Sequence, residues 1–393
     1  MGLKQVVKPL DDVFDESLDT AIAPSLGKVY GYATGAFKPE TQVEAVTLSL
    51  YGDPDRFFSA TYITEGMRRV FEEVLGALER GAGGLIVLPS LFGGGKTHVL
   101  LALYHAFRKP EALLKAEPRD VAEQLYERVG RVAGEGGVEV VVVDGDYASY
   151  APTPSNPLKI GPYTVHSVWG YIAHCLGRYD DVRGGDERFE APPVDRLEAL
   201  CAGKRALILM DEILSGYALN LSGEQRRILL EFFRRLAMAV RGRRAAVIIA
   251  IPAYYHAERG AVEVEELYRD LEDLIRGFFE AVRDQATIIP PVKLGADTGG
   301  DVVRILRKRI FGKSDVVVPG DVLAYYQGIY KFELFPPVAR HVEALKESYP
   351  FHPTYIDTLL RHVAEKKPKV FQRTRFAILV TRKAVRRLWR SQR

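Results

Sequence analysis

A glycine-rich segment, SLFGGGKT, occupies residues 90–97 and contains the residue types that can hold a phosphate group. Three successive glycines, Gly93, Gly94 and Gly95, allow the backbone to turn so that its amides point inward. Such amides, together with the start of a following helix, form an anion-binding site. Lys96 would add a mobile cation for the phosphate oxygens, and the Thr97 hydroxyl would bind Mg²⁺. The segment therefore predicts a phosphate-binding loop of the Walker A type.

The surrounding sequence has the order that such a loop requires. An apolar run at 84–88 precedes the loop and predicts a strand, and an apolar helical pattern follows at 99–103. Ser90 stands where the pattern usually begins with glycine, which adds a side chain at the first turn but leaves the amides in place. We include Ser90, Phe92 and His98 with the glycines, Lys96 and Thr97 in the predicted nucleotide-binding set.

A phosphate loop needs carboxylates at the end of a neighbouring strand. The apolar run 207–210 is followed directly by Asp211 and Glu212. Asp211 could hold the metal ion, and Glu212 could polarise the attacking water. The competing candidate is Asp144, with Asp146, after the run 140–143. We favour the first pair because it places a metal ligand beside a base, and we interpret Asp144 as a turn-forming acid.

The elements that must position these residues alternate between strands and helices. Continuous apolar runs predict buried strands at 84–88, 138–143, 206–210, 245–251 and 286–289. Helical patterns lie between them; one begins at Thr64 and ends before Gly81, and another begins at a capping box formed by Ser222 and Gln225. This alternation predicts a three-layer α/β fold with a parallel sheet.

The strand signals end near Pro291, and helical patterns follow at 302–311, 322–330, 338–345 and 355–363. We expect an N-terminal arm over residues 1–50, an α/β core over 51–293 and a helical lid domain over 294–393. The arm is assigned to irregular structure because its sequence has no clear periodicity.

The amino-acid composition is typical of a globular protein. Of 393 residues, 47% are hydrophobic and 27% are charged, and the net charge of +3 favours neither nucleic acid nor membrane for the whole molecule. Two cysteines without metal-ligand spacing fit a reducing compartment, and neither a signal peptide nor a membrane-spanning apolar run is evident. We therefore expect a cytoplasmic protein. Two asparagines in the whole chain indicate a thermophilic source.

Several blocks together resemble a known family. They are YGDPDRFFSATYITEGMRRVFEEVL, LPSLFGGGKTHVLLALYHAF, VHSVWGYIAHCLG, LILMDE, YPFHPTYIDTLL and FQRTR. Their order from residue 50 to the C-terminus is similar to that of the AAA+ ATPase family called domain of unknown function 499. The resemblance implies ATP and Mg²⁺ as ligands, a core like that of origin-recognition and initiator ATPases, and a setting in restriction or antiphage defence. Family members usually continue well past FQRTR, which points to a minimal version or to a separate partner polypeptide.

The resemblance also implies catalytic arginines. Arg283, before the last core strand, would reach the γ-phosphate of a neighbouring subunit, with Arg276 as the fallback. Arg373 and Arg375 in FQRTR would sense the same phosphate from the lid, because a guanidinium fork suits phosphate oxygens. The alternatives are a solvated helix end for Arg283 and salt bridges to the core for the other two. The polar residue expected after 245–251 is replaced by residues 252–255, PAYY, which puts sensing of hydrolysis in doubt.

The C-terminal end is strongly basic. From Arg361 onward a single acid, Glu365, is outnumbered by Lys366, Lys367, Lys369, Arg373, Arg375, Arg382, Lys383, Arg386, Arg387, Arg390 and Arg393. The stripe could follow a DNA backbone or bind an acidic partner. It could equally be a lid helix that packs through Phe376, Leu379, Val380, Leu388 and Trp389 while its cations stay in water.

These observations predict an ATP-hydrolysing AAA+ protein that acts on DNA or on a DNA-associated partner, with a homo-oligomer possible. The alternative is a slow-hydrolysing, nucleotide-dependent switch or scaffold for a partner protein. A small-molecule phosphotransferase is less favoured, because no separate base for a second substrate is evident.

Overall fold

A parallel sheet at the centre of the chain carries the predicted phosphate loop and the predicted acids at one edge. The computed structural model describes residues 7–19, 24–90, 95–256, 261–264, 266–291, 299–330, 338–365 and 373–391. Its strands are β1 (Gly84–Pro89), β2 (Glu139–Asp144), β3 (Leu158–Ile160), β4 (Tyr163–Val165), β5 (Ala206–Asp211), β6 (Ala245–Ile251), β7 (Ala253–His256), β8 (Ala261–Val264) and β9 (Ala286–Ile288).

The α-helices in the described ranges are α1 (Leu26–Thr34), α2 (Gln42–Tyr51), α3 (Pro54–Ser59), α4 (Glu65–Arg80), α5 (Lys96–Arg108), α6 (Arg119–Gly134), α7 (Val168–Cys175), α8 (Arg183–Glu187), α9 (Val194–Leu200), α10 (Gly223–Val240), α11 (Glu272–Val282), α12 (Gly299–Phe311), α13 (Gly320–Tyr330), α14 (Val338–Ser348), α15 (Pro353–Glu365) and α16 (Arg373–Ser391). Short 3₁₀ turns include Asp11–Phe14 and Glu16–Asp19 near the N-terminus.

Within the described residues, five strands form the central sheet in the order β2, β5, β6, β1, β9, and all of its neighbouring pairs are parallel. The apolar runs therefore predicted its strands correctly. Because β6 lies between β1 and β5, the carboxyl ends of these two strands lie at the same edge of the sheet, one strand apart. The end of β1, after which the predicted phosphate loop begins in the sequence, and the Asp211–Glu212 pair both lie at this edge.

Both faces of the sheet are covered by helices, as the three-layer prediction requires. On β1, Leu85 and Val87 belong to a hydrophobic cluster with residues of α7, α9, α10 and α11, whereas Ile86 and Leu88 belong to a second cluster with residues of α4, α5 and α6. Alternate side chains of a strand point to opposite faces, so each strand contributes to both layers. The α/β class and its three layers are thus confirmed.

Helix-end signals in the sequence are also confirmed. The Thr64 side chain accepts a hydrogen bond from the Met67 amide at the start of α4, and Gly81 ends that helix with a φ of 72°. Ser222 and Gln225 form the predicted capping box of α10. These local signals depend on neighbouring residues only, so they could be recognised without the fold.

The helices after β9 form a separate hydrophobic cluster, which includes Leu306 and Ile310 of α12 and Ala377 of α16. Val7 and Val13 from the N-terminus are buried in the same cluster. Part of the segment assigned to an irregular arm is occupied by α1 and α2, which pack on the core. None of the described helices has the length and apolar character required to cross a membrane.

Candidate functional site

The helix α5, which follows the predicted phosphate loop in the sequence, begins at Lys96. Gly95 precedes it with a φ of 88°, a conformation that favours glycine, and offers no side chain to accept from the first amides of the helix. Lys96 is 8% exposed, and its ammonium donates to the Ser90 carbonyl at 2.7 Å. The Ser90 amide donates to Ile251 at the end of β6. Phe92, Gly93 and Gly94 lie outside the described residues.

Asp211 ends β5 and contacts the first turn of α5. Its side chain is buried, and the Thr97 side chain lies close enough to its carboxylate to favour the ionised form. Burial, together with the nearby charges of Glu212 and Asp144, raises the pKa of Asp211 to about 8, while Thr97 and Lys96 oppose the shift. A hydroxyl beside a buried carboxylate that lacks full charge compensation is a donor set that fits Mg²⁺.

Glu212 follows Asp211 in a strained backbone conformation, with a φ of 50°. Such a conformation persists only where the surroundings enforce it. Gly145 leaves the space that this turn needs, since a Cβ there would lie 2.0 Å from the Glu212 carbonyl oxygen. The Ser215 hydroxyl donates to the Glu212 carboxylate. Glu212 thus lines the same cavity as Gly95 and Lys96, and its carboxylate is held by the hydrogen bond from Ser215.

Asp144, the competing acid, accepts hydrogen bonds at the N-terminus of α1. Its carboxylate accepts from the Gly27 amide at 2.7 Å and from the Ser25 hydroxyl at 3.1 Å, at the N-terminus of that helix. It also accepts from the Asp146 amide at 3.1 Å, as a turn-forming acid does. Burial raises the pKa of Asp144 to about 6, although these hydrogen bonds oppose the shift. Asp144 therefore anchors α1 to the end of β2.

One cavity brings several of the predicted residues together, although Asp211 and Ser90 are not among its described lining residues. Gly95, Lys96, Thr97, His98, Glu212 and Arg375 all line it. The remaining wall is partly apolar and includes Leu10, Leu18, Pro24, Leu50, Tyr51, Met67, Val99, Ile305 and Ile378. A charged end beside an apolar wall suits a ligand that has both a polyphosphate and a ring system.

The predicted arginines divide into three cases. Arg375 is half-buried at the cavity, where burial lowers its pKa and the charges of Tyr51, Asp211 and Glu212 act against that shift. The side chain of Arg373 lies outside the described residues. Arg283 is exposed at the end of α11 and is absent from the described lining of the cavity, and Arg276 pairs with Glu272 at 2.6 Å.

His98 is packed more tightly than a phosphate ligand would be. Its Nε2 lies 3.1 Å from the Thr61 hydroxyl, and its ring lies 4.4 Å from that of Phe57. Burial, followed by the positive charge of Arg309, holds the pKa of His98 well below its ordinary value. The imidazole is thus neutral at physiological pH and lines the cavity without contributing a charge.

The basic end is not a uniform solvated stripe. Arg382 and Arg386 are buried against residues 7–19, which we call the N-terminal strap. Both guanidinium groups bond to Asp19, Arg386 at 2.8 Å, and both also donate to strap carbonyls. These two cations are therefore not available to a DNA backbone. Leu388, expected to pack inward, is 59% exposed.

Sequence reasoning missed several residues of the cavity. Tyr51 on α2 and Arg309 on α12 face each other there, with the guanidinium carbon 5.5 Å from the ring centroid. Arg382 and the strap residue Asp12 complete the same wall. Helical periodicity indicated α12, but no local signal distinguished Arg309 from the other basic residues of that helix.

Comparison with known proteins assigns the family. The model of the DUF499 N-terminal domain matches residues 1–288, and that of the DUF499 second domain matches residues 298–393. No curated protein matches the chain. Since the two family models cover nearly the whole sequence, the chain belongs to the DUF499 family.

Proposed function

We propose that the chain binds Mg-ATP in the cavity at the edge of the sheet and hydrolyses it. The observation that carries this proposal is the cavity that Lys96, Thr97 and Glu212 line together, with the buried carboxylate of Asp211 beside Thr97. The resemblance to AAA+ ATPases and the order of loop, helix and acidic strand end support the same assignment.

In the proposed mechanism the amides at the start of α5 and the Lys96 ammonium bind the β- and γ-phosphates. Thr97 and Asp211 would hold the magnesium ion, which neutralises phosphate charge when bound. Glu212 orients a water molecule and accepts its proton as the water oxygen bonds to the γ-phosphorus. The bond from that phosphorus to the bridging oxygen breaks, and ADP leaves. Arg375 stabilises the charge on the γ-phosphate oxygens.

A turnover assay tests this assignment. The expected result is magnesium-dependent release of phosphate from ATP, which falls by about 10²- to 10⁴-fold in Glu212→Gln, while the affinity for Mg-ATP changes little. The matched control is Glu224→Gln, an exposed glutamate in the first turn of α10. A Glu212→Gln protein as active as the parent would refute the role proposed for Glu212.

A second candidate is a slowly hydrolysing switch, and two observations favour it. The Glu212 carboxylate is bonded to Ser215, and the end of β6 continues into Pro252 and the buried Ala253 with no polar side chain at that point. Both features would slow hydrolysis without weakening binding. Tight Mg-ATP binding with negligible turnover, in the presence of DNA or candidate partner proteins, would favour this alternative.

We further propose that the protein acts on DNA or on a DNA-associated partner. After the strap neutralises Arg382 and Arg386, Lys383 and Arg387 remain exposed on α16. These side chains and the basic residues that lie outside the described ranges could contact phosphates. The exposure of Arg283 is compatible with contact to the nucleotide of a second copy. Turnover measured with and without duplex DNA, across a range of salt concentrations, tests the first proposal.

A further inference from the structure

The N-terminal strap forms part of the cavity wall. Leu10, Asp12 and Leu18 line the cavity, which the first turn of α5 also lines. Each of these three strap side chains is half-buried. Two of them are apolar and the third is a carboxylate, so they offer no positive charge to a polyphosphate. This part of the wall suits the nucleoside of a bound nucleotide.

The strap is attached to the C-terminal helices. The Leu10 amide donates to the Ile310 carbonyl of α12 at 2.8 Å. Val13 is fully buried in the hydrophobic cluster of these helices, and its carbonyl accepts from the Arg386 guanidinium at 2.8 Å. The turn Asp11–Phe14 packs on α16. The same segment therefore contacts α12 and α16 and contributes side chains to the cavity.

A second turn of the strap packs on the core. The turn Glu16–Asp19 lies against α2, and the α2 residues Leu50 and Tyr51 line the cavity. The strap therefore runs from the C-terminal helices to α2 along one side of the cavity. A nucleotide bound there would contact a segment that connects the core to the C-terminal helices.

Asp19 keeps the strap on α16 through two charged partners. Its carboxylate accepts from Arg386 at 2.8 and 3.1 Å and from Arg382 at 3.3 Å, and we call these three residues the latch. The side chain of Asp19 is 11% exposed, and those of both arginines are 7% exposed. Separating a buried carboxylate from two buried cations is costly, so the latch holds the strap in its docked position.

We propose that the strap covers the nucleoside of the bound nucleotide and that the latch sets the rate at which ADP leaves the cavity. This inference rests on the proposed function of the cavity. Release of ADP requires the strap to move away from the cavity wall, and the free energy of that step includes the loss of the latch. The latch thus acts on product release and not on cleavage of the γ-phosphate.

The dissociation rate of ADP from the full chain tests the proposal. Radiolabelled Mg-ADP is bound and then displaced by an excess of unlabelled Mg-ADP. Asp19→Asn keeps the size of the side chain but removes its charge, and it is expected to raise the dissociation rate about tenfold. The matched control is Glu16→Gln, which neutralises an exposed carboxylate of the same turn and is expected to change the rate less than about twofold. Equal rates in Asp19→Asn and the unchanged protein would overturn the proposal.

Hydrogen exchange in the unchanged protein is a second test, which holds even if Asp19→Asn fails to fold. Saturating Mg-ADP is expected to slow amide exchange in residues 7–19 and to leave it unchanged in α6, which contributes no residue to the described lining of the cavity. Binding of Mg-ADP without slower exchange in the strap would refute the proposal and leave the proposed function standing. If the unchanged protein binds neither Mg-ADP nor Mg-ATP, the proposed function fails, and this inference fails with it.

Discussion

The Thr97 side chain lies beside the buried Asp211 carboxylate and acts to lower its pKa, although 114 positions separate the two residues in the chain. This proximity brings the first turn of α5 to the end of β5 at the edge of the sheet. It places the two oxygen-bearing side chains that the proposed Mg²⁺ would need next to each other. We therefore expect the dependence of ligand binding on metal and on pH to be determined mainly by Asp211.

The raised pKa of Asp211 predicts proton release on metal binding. With a pKa of about 8 the carboxyl is mainly protonated at pH 7, and binding of Mg²⁺ requires the ionised form. We expect Mg-ATP to bind more tightly as pH rises from 7 to 9, with release of close to one proton at pH 7. Calorimetry in buffers of different ionisation enthalpy measures that number, and a value of zero would contradict the assignment.

The same pKa predicts an effect on stability. The folded-state pKa lies above the ordinary value of 3.8, so the native state binds the proton more tightly than the unfolded state. The contribution of this proton to the free energy of unfolding is therefore lost as pH rises from about 4 to 8. Asp211→Asn should therefore raise the melting temperature at pH 8 in the absence of metal. Thermal unfolding at pH 5 and pH 8 measures the difference, and a variant less stable at both values would contradict it.

Asp19 is expected to hold the N-terminal strap on the lid. It accepts from Arg386 at 2.8 and 3.1 Å and from Arg382 at 3.3 Å, and both arginine side chains are only 7% exposed. Asp19→Ala would leave two buried cations without their nearest carboxylate, at a cost of about 3 kcal/mol in the free energy of unfolding. Glu16→Ala, which removes an exposed partner of Arg386 and Arg390, should cost less than about 1 kcal/mol. Denaturant unfolding distinguishes these results, and equal effects would refute the strap contact.

Gly145 should be required for the turn at Glu212. An alanine Cβ there would lie 2.0 Å from the Glu212 carbonyl oxygen and 2.8 Å from the Tyr217 amide, so this backbone must shift. We expect Gly145→Ala to lower ATP turnover at least tenfold and to destabilise the protein by about 2 kcal/mol. Gly130→Ala is the matched control. It lies in α6 with open space around it and should stabilise by about 0.5 kcal/mol.

Ser215 should restrain Glu212. Its hydroxyl donates to the Glu212 carboxylate, and this hydrogen bond limits the movement of the carboxylate toward a water molecule. We expect Ser215→Ala to raise turnover several-fold without a change in Mg-ATP affinity. A loss of turnover would instead make Ser215 part of the catalytic arrangement. Ser49→Ala, at an exposed hydroxyl on α2 that bonds its own helix, serves as the control.

Local patterns in the sequence predicted the sheet and the main site. The runs that became β1 and β5 end where the loop and the acids begin, so parallel pairing alone brings Lys96 and Asp211 to one edge. The N-terminal capping residues of α4 and α10 could also be predicted from the sequence, because each lies three residues from the amide that it binds.

Contacts between segments that are distant in the sequence could not be predicted from local patterns. Asp19 and Arg386 are separated by more than 360 positions, and neither residue type indicates the other as its partner. Arg309 on α12 and Tyr51 on α2 meet only in the tertiary structure, which helical periodicity does not encode. Asp144 was identified as a turn-forming acid, but its role in anchoring α1 depends on Gly27 and Ser25, more than 115 positions away.

The central claim is that the cavity binds Mg-ATP through Lys96 and Asp211. Isothermal titration calorimetry of the full chain with ATP, with and without Mg²⁺, tests it most directly, alongside Lys96→Met and the exposed control Lys383→Met. The account predicts magnesium-dependent binding that Lys96→Met weakens at least tenfold and Lys383→Met leaves unchanged. Absence of ATP binding by the unchanged protein, or equal binding by Lys96→Met, would contradict it.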